Sequence, residues 1–307
     1  MNNNIKILLF SIILLAILVS TFALIFSVNS KEKNNNITII TTLFPTYDFA
    51  KNIAGDKANI KLLISPGTDS HSYELSISDI AEISNSTLFA YTGSDLEPWT
   101  ETIVSSLSNK INILNVANNV NIYDNLDQDE DLKYDPHIWM SIKNAKIMCE
   151  NIYNALCDID KNNIEIYSKN YENYIAKLND LENKYENINK LSSNQKLVFA
   201  SPFSYQYLIK DYNLEYISAY GSCTEETDPS VADMKKIIDY LNSNQKKYIL
   251  CDKLFSKSTA QTIAKETQAT ILDFNSIHNL SKEDLQNSKG YVELMNENLN
   301  NILTIIN

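Results

Sequence analysis

The sequence predicts an α/β fold of two lobes, each built on a parallel sheet, with one long rigid helix between them. Short apolar runs rich in β-branched residues recur along the chain, separated by helix-like stretches. The runs are continuously apolar, which is typical of parallel strands covered by helices on both faces. A chain of 307 residues is long enough to bury two modest cores. In the first half the runs cover residues 37–43, 58–64, 87–92 and 111–116, and in the second half they cover 196–201, 214–220, 246–252 and 269–274.

Residues 162–190 contain neither Gly nor Pro and predict the helix that joins the lobes. Apolar residues recur there at alternating spacings of three and four, the pattern of an amphipathic helix. We interpret this stripe as a packing face rather than a binding site. It comprises Ile164, Tyr167, Tyr171, Tyr174, Leu178, Leu181 and Tyr185. The predicted division is 1–30 for a membrane anchor or signal segment, 31–160 for the N-terminal lobe, 161–191 for the linking helix and 192–307 for the C-terminal lobe.

The first thirty residues contain an uncharged run from Ile7 to Val28. At about 1.5 Å per residue, a helix of this length crosses a hydrocarbon core of roughly 30 Å. Lys6 favours a cytoplasmic amino terminus, so we expect the chain from residue 31 onward to lie outside the membrane. No cysteine follows the run directly, which excludes a lipid anchor at that point. We predict an uncleaved anchor, with a cleaved signal peptide as the alternative.

The formal net charge of −12 argues against nucleic acid as a partner, because phosphate binding requires clustered Lys and Arg. An acidic surface is compatible with a cation as ligand, although a solvated exterior is the more common reason for such a charge. The same two interpretations apply to the acidic stretch 124–135. No H-E-x-x-H or G-x-S-x-G motif occurs, so a metal-dependent or serine hydrolase is disfavoured, and we expect that the protein is not an enzyme.

Because we expect the chain to lie outside the membrane, where disulfides can form, the four cysteines are candidates for pairing. Cys149 and Cys157 lie eight residues apart in a predicted helix, too far for a bridge, and are interpreted as core residues. Cys223 and Cys251 each follow or end a predicted strand, and a disulfide between them is one alternative. No C-x-x-C pair is present, which disfavours a cysteine zinc cluster.

The chain has only three histidines, and each follows a predicted strand. His71 comes after the 58–64 strand, His137 after the 111–116 strand and His278 after the 269–274 strand. The carboxyl ends of parallel strands gather at one edge of a sheet, where α/β proteins bind ligands. A single loop histidine is usually a surface or hydrogen-bonded residue, but three at this edge with none elsewhere favour a metal site in the cleft between the lobes. Imidazole nitrogen is a common Zn(II) ligand, and Asp135 lies close enough in sequence to accept a hydrogen bond from His137.

Several motifs occur in an order that resembles a known family. They are "LFPTYDFAKNIAGD", "LISPGTDSHSYELSISDIAEI", "YTGSDLEPWTETI", "DPHIWMS", "ETDPS" and "YVELMNENLNNI". Together they resemble the extracytoplasmic metal-binding proteins of zinc and manganese ABC importers, from about residue 37 to 304. The resemblance implies two α/β lobes joined by a long helix, and a transition metal held between them for delivery to a membrane permease. His71 and His137 match the two first-lobe ligands of that family.

The sequence departs from the family pattern in the second lobe. The family's third ligand position corresponds to Pro202, which offers no side-chain donor, and the fourth aligns best with Asn275. We expect His278 to replace the missing ligand. Weaker candidates are Cys223, Glu225 and Glu226. A nitrogen-rich site of this kind prefers zinc over manganese.

The leading hypothesis is therefore a monomeric, membrane-anchored binding protein that captures Zn(II) and passes it to an ABC permease. The first alternative keeps the fold and binds manganese or another divalent ion. A metal-dependent hydrolase, with Glu74 as base, and a purely adhesive surface protein are the remaining alternatives.

Overall fold

The computed structural model describes residues 37–68, 73–93, 97–126, 133–188, 195–221, 223 and 228–306. They belong to one compact unit that begins at Ile37. The apolar run 7–28 and the predicted anchor lie outside the described residues. Within the described ranges, no helix is both long and apolar enough to cross a bilayer.

The first lobe contains a parallel sheet of four strands in the order β2-β1-β3-β4. Every strand pair is parallel; Ile37 lies opposite Ala58 and Leu88 lies opposite Asn112. The strands are β1 (Ile37–Thr41), β2 (Ala58–Leu62), β3 (Leu88–Tyr91) and β4 (Asn112–Asn115).

The second lobe repeats this arrangement with the strand order β6-β5-β7-β8, again all parallel. Its strands are β5 (Leu197–Phe199), β6 (Tyr216–Ser218), β7 (Tyr248–Asp252) and β8 (Thr270–Phe274). Each predicted apolar run contains one of the eight strands. The predicted two-lobe α/β architecture is therefore confirmed.

Helices connect the strands and cover both sheets. Several begin at a serine whose side chain accepts a hydrogen bond from the backbone N–H three residues later, as for Ser76 with Asp79 and Ser230 with Asp233. The helices are α1 (Phe44–Ala54), α2 (Ile77–Ser84), α3 (Thr100–Leu107), α4 (Ile142–Ile159), α5 (Ile164–Glu186), α6 (Gln206–Asp211), α7 (Val231–Ser243), α8 (Ser258–Thr267), α9 (Lys282–Gln286) and α10 (Tyr291–Ile306).

Helix α5 is the predicted linking helix, and its apolar stripe is a packing face. Apart from Ile164, the stripe belongs to a core that continues from the first lobe into the second. Tyr185 donates to the carbonyl of Met295 in α10 at 2.7 Å. The exact domain boundaries remain a prediction. Five stripe residues are buried, namely Tyr167, Tyr174, Leu178, Leu181 and Tyr185.

The alternative of a Cys223–Cys251 disulfide is wrong for this structure, because neither cysteine is bridged. Cys251 lies in β7, whereas Cys223 follows β6, and β5 lies between these two strands. Cys149 is buried in the core, as predicted, and Cys157 is half-buried.

Candidate metal centre

His137 lies in a buried part of the first lobe. It follows Pro136 and directly precedes a short 3-10 helix, Ile138–Met140. Only 1% of His137 is exposed. Its Nδ1 lies 2.9 Å from Asp135 Oδ1, and the same oxygen accepts the backbone N–H of His137 at 2.8 Å. The predicted contact with Asp135 is thus present. A carboxylate on one ring nitrogen of histidine fixes the ring and directs a metal to the other, here Nε2.

His278 lies in a buried segment between β8 and α9. We call residues 275–279 the His278 segment; each of the five is buried. His278 is 2% exposed, and its Nδ1 lies 2.7 Å from Ser276 Oγ. The ring of Phe255 packs beside the imidazole, with centroids 5.9 Å apart. As with His137, a neighbouring side chain holds the Nδ1 edge of the ring.

Trp139 connects the surroundings of these two histidines. Its indole ring meets the His137 ring edge-on, with centroids 5.5 Å apart. Its indole N–H donates to the carbonyl of Ser276 at 2.7 Å. Ser276 in turn contacts His278 through its hydroxyl. The structure therefore brings His137 of the first lobe and His278 of the second into one connected cluster.

The backbone of the His278 segment is strained at Ile277, which has a φ of 63°. A β-branched residue disfavours this left-handed conformation, which costs about 1–3 kcal/mol. Surrounding hydrogen bonds hold it in place. The N–H of Ser276 donates to Asp252 Oδ2 at 3.0 Å, and the N–H of Asn275 donates to Asn298 Oδ1 at 2.8 Å. Strain of this kind is concentrated at ligand sites, which supports a binding role for the segment.

The chain leading to His71 also reaches the His278 segment. Asn279 Nδ2 donates to the carbonyl oxygens of Ser65, at 2.9 Å, and Thr68, at 2.7 Å. His71 itself lies outside the described residues, as do Glu225 and Glu226. Within the part of the chain that the structure describes, no three His, Cys, Asp or Glu side chains form a group that could hold a metal.

Cys223 also lies near His137. Both residues line one pocket, whose wall includes Phe203 and Gln206. Cys223 is 6% exposed. Because a thiolate is a good zinc ligand and Cys223 lies in the same pocket as His137, Cys223 remains the alternative second-lobe donor.

The two positions that depart from the family pattern do not supply donors to this cluster. Pro202 follows β5 and has no ligating side chain. The Asn275 amide is turned to α10, where Nδ2 lies 3.4 Å from Asn298 Oδ1 and 3.5 Å from Glu297 Oε2.

Sequence reasoning missed the residues that support the histidines, namely Trp139, Ser276 and Asn279. The only available signal was their nearness in sequence to a histidine.

Sequence reasoning also missed Glu97, a buried carboxyl. Its Oε2 accepts hydrogen bonds from the backbone N–H groups of Thr92 at 2.8 Å and Gly93 at 3.2 Å. Burial raises the pKa of Glu97 to about 7.

The chain is similar to curated zinc-binding proteins. It is 28% identical over 299 residues to the zinc-binding lipoprotein AdcA of Streptococcus pneumoniae, covering 94% of this chain and 59% of AdcA. It is 28% identical over 282 residues to the high-affinity zinc uptake system protein ZnuA of Bacillus subtilis, covering 88% of each chain. The chain thus spans less than two thirds of AdcA and most of the Bacillus protein.

A solved structure shares the fold. The crystal structure of the Zn(II)-bound ZnuA-like domain of Streptococcus pneumoniae AdcA matches with a TM-score of 0.76 and 27% identity, over 89% of this chain and 99% of that domain. The sequence profile of the family described as "ZnuA: Zinc-uptake complex component A periplasmic" matches residues 39–305. This match covers both lobes and the linking helix, and the chain therefore belongs to the family of periplasmic zinc-uptake complex component A proteins.

Proposed function

We propose that this protein captures Zn(II) between its two lobes and delivers it to the membrane permease of an ABC importer. The observation that carries the proposal is the connection of two buried histidines, His137 and His278, from opposite lobes through Trp139 and Ser276. The names of the relatives, a zinc-binding lipoprotein and a zinc uptake system protein, support the choice of metal. The family consists of binding components and not of enzymes.

In this proposal His71, His137 and His278 ligate the metal. Three imidazole nitrogens leave a fourth tetrahedral position for water or another donor. A nitrogen-rich set of this kind favours zinc over manganese, which prefers carboxylate oxygen. The strained backbone at Ile277 favours His278 over Cys223 as the second-lobe donor, because strain is retained where it serves binding.

The cellular context follows from the same proposal. The run Ile7–Val28 anchors the protein in the membrane, and both lobes lie on the extracytoplasmic side. The protein acts as a monomer. Its partners are the divalent ion and the permease, not nucleic acid. The lobes correspond to residues 31–160 and 192–307, with 161–191 as the linking helix.

Calorimetric titration tests the proposal. The full chain in detergent, stripped of metal, is titrated with zinc and then with manganese. We expect one tight zinc site and weaker manganese binding. His137→Ala and His278→Ala should each weaken zinc binding by more than the roughly 10–100-fold typical of losing a supporting residue.

Two cysteine variants serve as the comparison. Cys157→Ser changes a half-buried thiol in α4 and should bind zinc like the wild type. If Cys223→Ser loses zinc binding while His278→Ala retains it, the second-lobe ligand is Cys223. A wild-type protein without zinc affinity refutes the proposed function.

A further inference from the structure

Asn279, the last residue of the His278 segment, makes three hydrogen bonds through one side chain. Its Nδ2 donates to the carbonyl oxygens of Ser65 and Thr68, at 2.9 and 2.7 Å. Its Oδ1 accepts the backbone N–H of Leu280 at 2.7 Å. Asn279 is 3% exposed. The side-chain NH₂ group therefore donates to the first lobe, while the side-chain oxygen accepts from the backbone of the next residue.

The two carbonyls that Asn279 binds are the ends of a single tight turn. The N–H of Thr68 donates to the carbonyl of Ser65 at 3.0 Å, which closes a four-residue turn. Pro66 occupies the second position and Gly67, with a φ of 82°, the third, as in a type II turn. The turn follows β2 and ends three residues before His71 in the sequence. Asn279 thus holds the point from which the chain proceeds to His71.

The residue before Asn279 is attached to the first lobe as well. The carbonyl of His278 accepts the N–H of Phe44 at 3.2 Å. Phe44 is the first residue of α1, and Leu43 before it provides no side-chain cap. The second lobe thereby satisfies one of the N–H groups that a helix leaves without a partner at its start. The contact between Trp139 and Ser276 adds a further bond between the lobes.

We propose that Asn279 is a positioning residue for metal binding, which fixes the turn leading to His71 against the segment that carries His278. This inference rests on the proposed function and adds a residue to it. By joining the two parts, Asn279 holds the turn that precedes His71 beside the segment that carries His278 before the metal arrives. A pre-organised site loses less conformational entropy on binding, so its affinity is higher.

Two substitutions separate this role from general stabilisation. Asn279→Ala removes all three bonds. Asn279→Asp keeps the size of the side chain and the acceptor for Leu280, but it places an oxygen against the carbonyls of Ser65 and Thr68. A negative charge near the site would by itself strengthen the binding of a cation. Weaker zinc binding by Asn279→Asp therefore reports lost positioning and not altered charge.

Asn301→Ala is the matched control. Asn301 Nδ2 donates to the carbonyl of Asp273 at 2.6 Å. Both residues belong to the second lobe, so this bond resembles those of Asn279 but does not join the lobes. Its loss should lower stability without changing zinc affinity.

The experiment uses the full chain in detergent. Zinc affinity is measured by competition with a chelator, and thermal unfolding is followed with and without zinc. We expect both Asn279 variants to bind zinc roughly 10–100-fold more weakly. The rise in Tm that zinc produces should shrink accordingly, because ligand stabilisation follows the ratio of zinc concentration to Kd. Asn301→Ala should keep the wild-type Kd.

A purely structural role for Asn279 gives another result. Tm would then fall equally with and without zinc, and Kd would equal that of the wild type, which overturns the inference while leaving the proposed function intact. If Asn279→Ala does not fold, Asn279→Asp, which retains the bond to Leu280, decides between the same two outcomes. A wild-type protein that does not bind zinc overturns both proposals.

Discussion

The indole N–H of Trp139 donates to the backbone carbonyl of Ser276 at 2.7 Å, and this bond joins the two lobes beside the candidate metal centre. Trp139 follows His137 by two residues, and Ser276 precedes His278 by two. A single contact therefore limits the separation of both histidine-bearing segments.

Replacing Trp139 with Phe tests this contact. The variant keeps an aromatic ring in the core but leaves the buried carbonyl of Ser276 without its donor, which costs about 1–3 kcal/mol. We expect a lower free energy of unfolding and weaker zinc binding. Trp99→Phe is the control, because Trp99 Nε1 has no hydrogen-bond partner among the described residues. Equal zinc affinity in Trp139→Phe and the wild type would contradict a role for this bond in the site.

Removing the Asp135 carboxylate should weaken zinc binding through His137. Asp135 Oδ1 holds both Nδ1 and the backbone N–H of His137. We expect Asp135→Ala to lose roughly 10–100-fold in zinc affinity, and Asp135→Asn, which retains an acceptor, to lose less. Chelator competition measures both. Asp228→Ala removes an equal charge from an exposed residue and should bind zinc like the wild type. If Asp228→Ala loses as much zinc affinity as Asp135→Ala, the effect comes from net charge alone and contradicts the role of Asp135.

Glu97 should make folding stability depend on pH. Burial raises its pKa from 4.5 to about 7 in the folded protein, although the N–H groups of Thr92 and Gly93 and the Thr42 hydroxyl favour the ionised form. The folded state therefore holds a proton that the unfolded state has released between these two values. The stability linked to Glu97 is fully present below pH 4.5 and is lost as pH rises through about 7.

Glu97→Gln should remove this contribution. Between pH 4.5 and 7 the wild type should lose roughly 3 kcal/mol more than the variant, because one pKa unit corresponds to about 1.4 kcal/mol. Urea unfolding of metal-free protein at several pH values measures the difference. Glu101→Gln, an exposed substitution in α3, should leave the wild-type pH profile unchanged. Parallel profiles for the wild type and Glu97→Gln would contradict the raised pKa.

Asp48 of α1 accepts hydrogen bonds from residues of two other helices. We expect the bond from the Tyr174 hydroxyl to contribute to stability. Tyr174 of α5 donates to Asp48 Oδ2 at 2.7 Å, and the N–H of Tyr291, which begins α10, donates to the same oxygen at 3.2 Å. Tyr174→Phe leaves this buried carboxyl with one donor fewer and should cost about 1–3 kcal/mol. The urea midpoint should fall with an unchanged m-value. Tyr171→Phe, a half-buried neighbour stacked on Tyr153, should change it little; equal losses in both would argue against the Asp48 bond.

The strands and the linking helix could be predicted because their signals are local. Continuous apolar runs mark buried parallel strands, and the stripe from Ile164 to Tyr185 marks one face of a helix. The disulfide alternative failed because the meeting of two cysteines depends on the strand order, in which β5 lies between β6, the strand before Cys223, and β7, which contains Cys251. Nothing in the local sequence encodes that order.

The contacts around the candidate site were beyond sequence reasoning for the same reason. Trp139 meets Ser276 across 137 residues, and Asn279 meets Ser65 across 214. Asp135, two residues from His137, was predictable because its contact is local. Nothing in the sequence indicated the positive φ of Ile277 either. A β-branched residue disfavours this conformation, and the surrounding hydrogen bonds sustain it.

X-ray absorption at the zinc edge tests most directly the claim that histidines from both lobes hold the metal. The full chain and its His278→Ala variant are loaded with one equivalent of zinc. We predict a nitrogen shell at about 2.0–2.1 Å with imidazole scattering in the wild type, and one imidazole fewer in the variant. A sulfur shell at about 2.3 Å, or identical spectra for the two proteins, would contradict this account and assign the second-lobe ligand elsewhere.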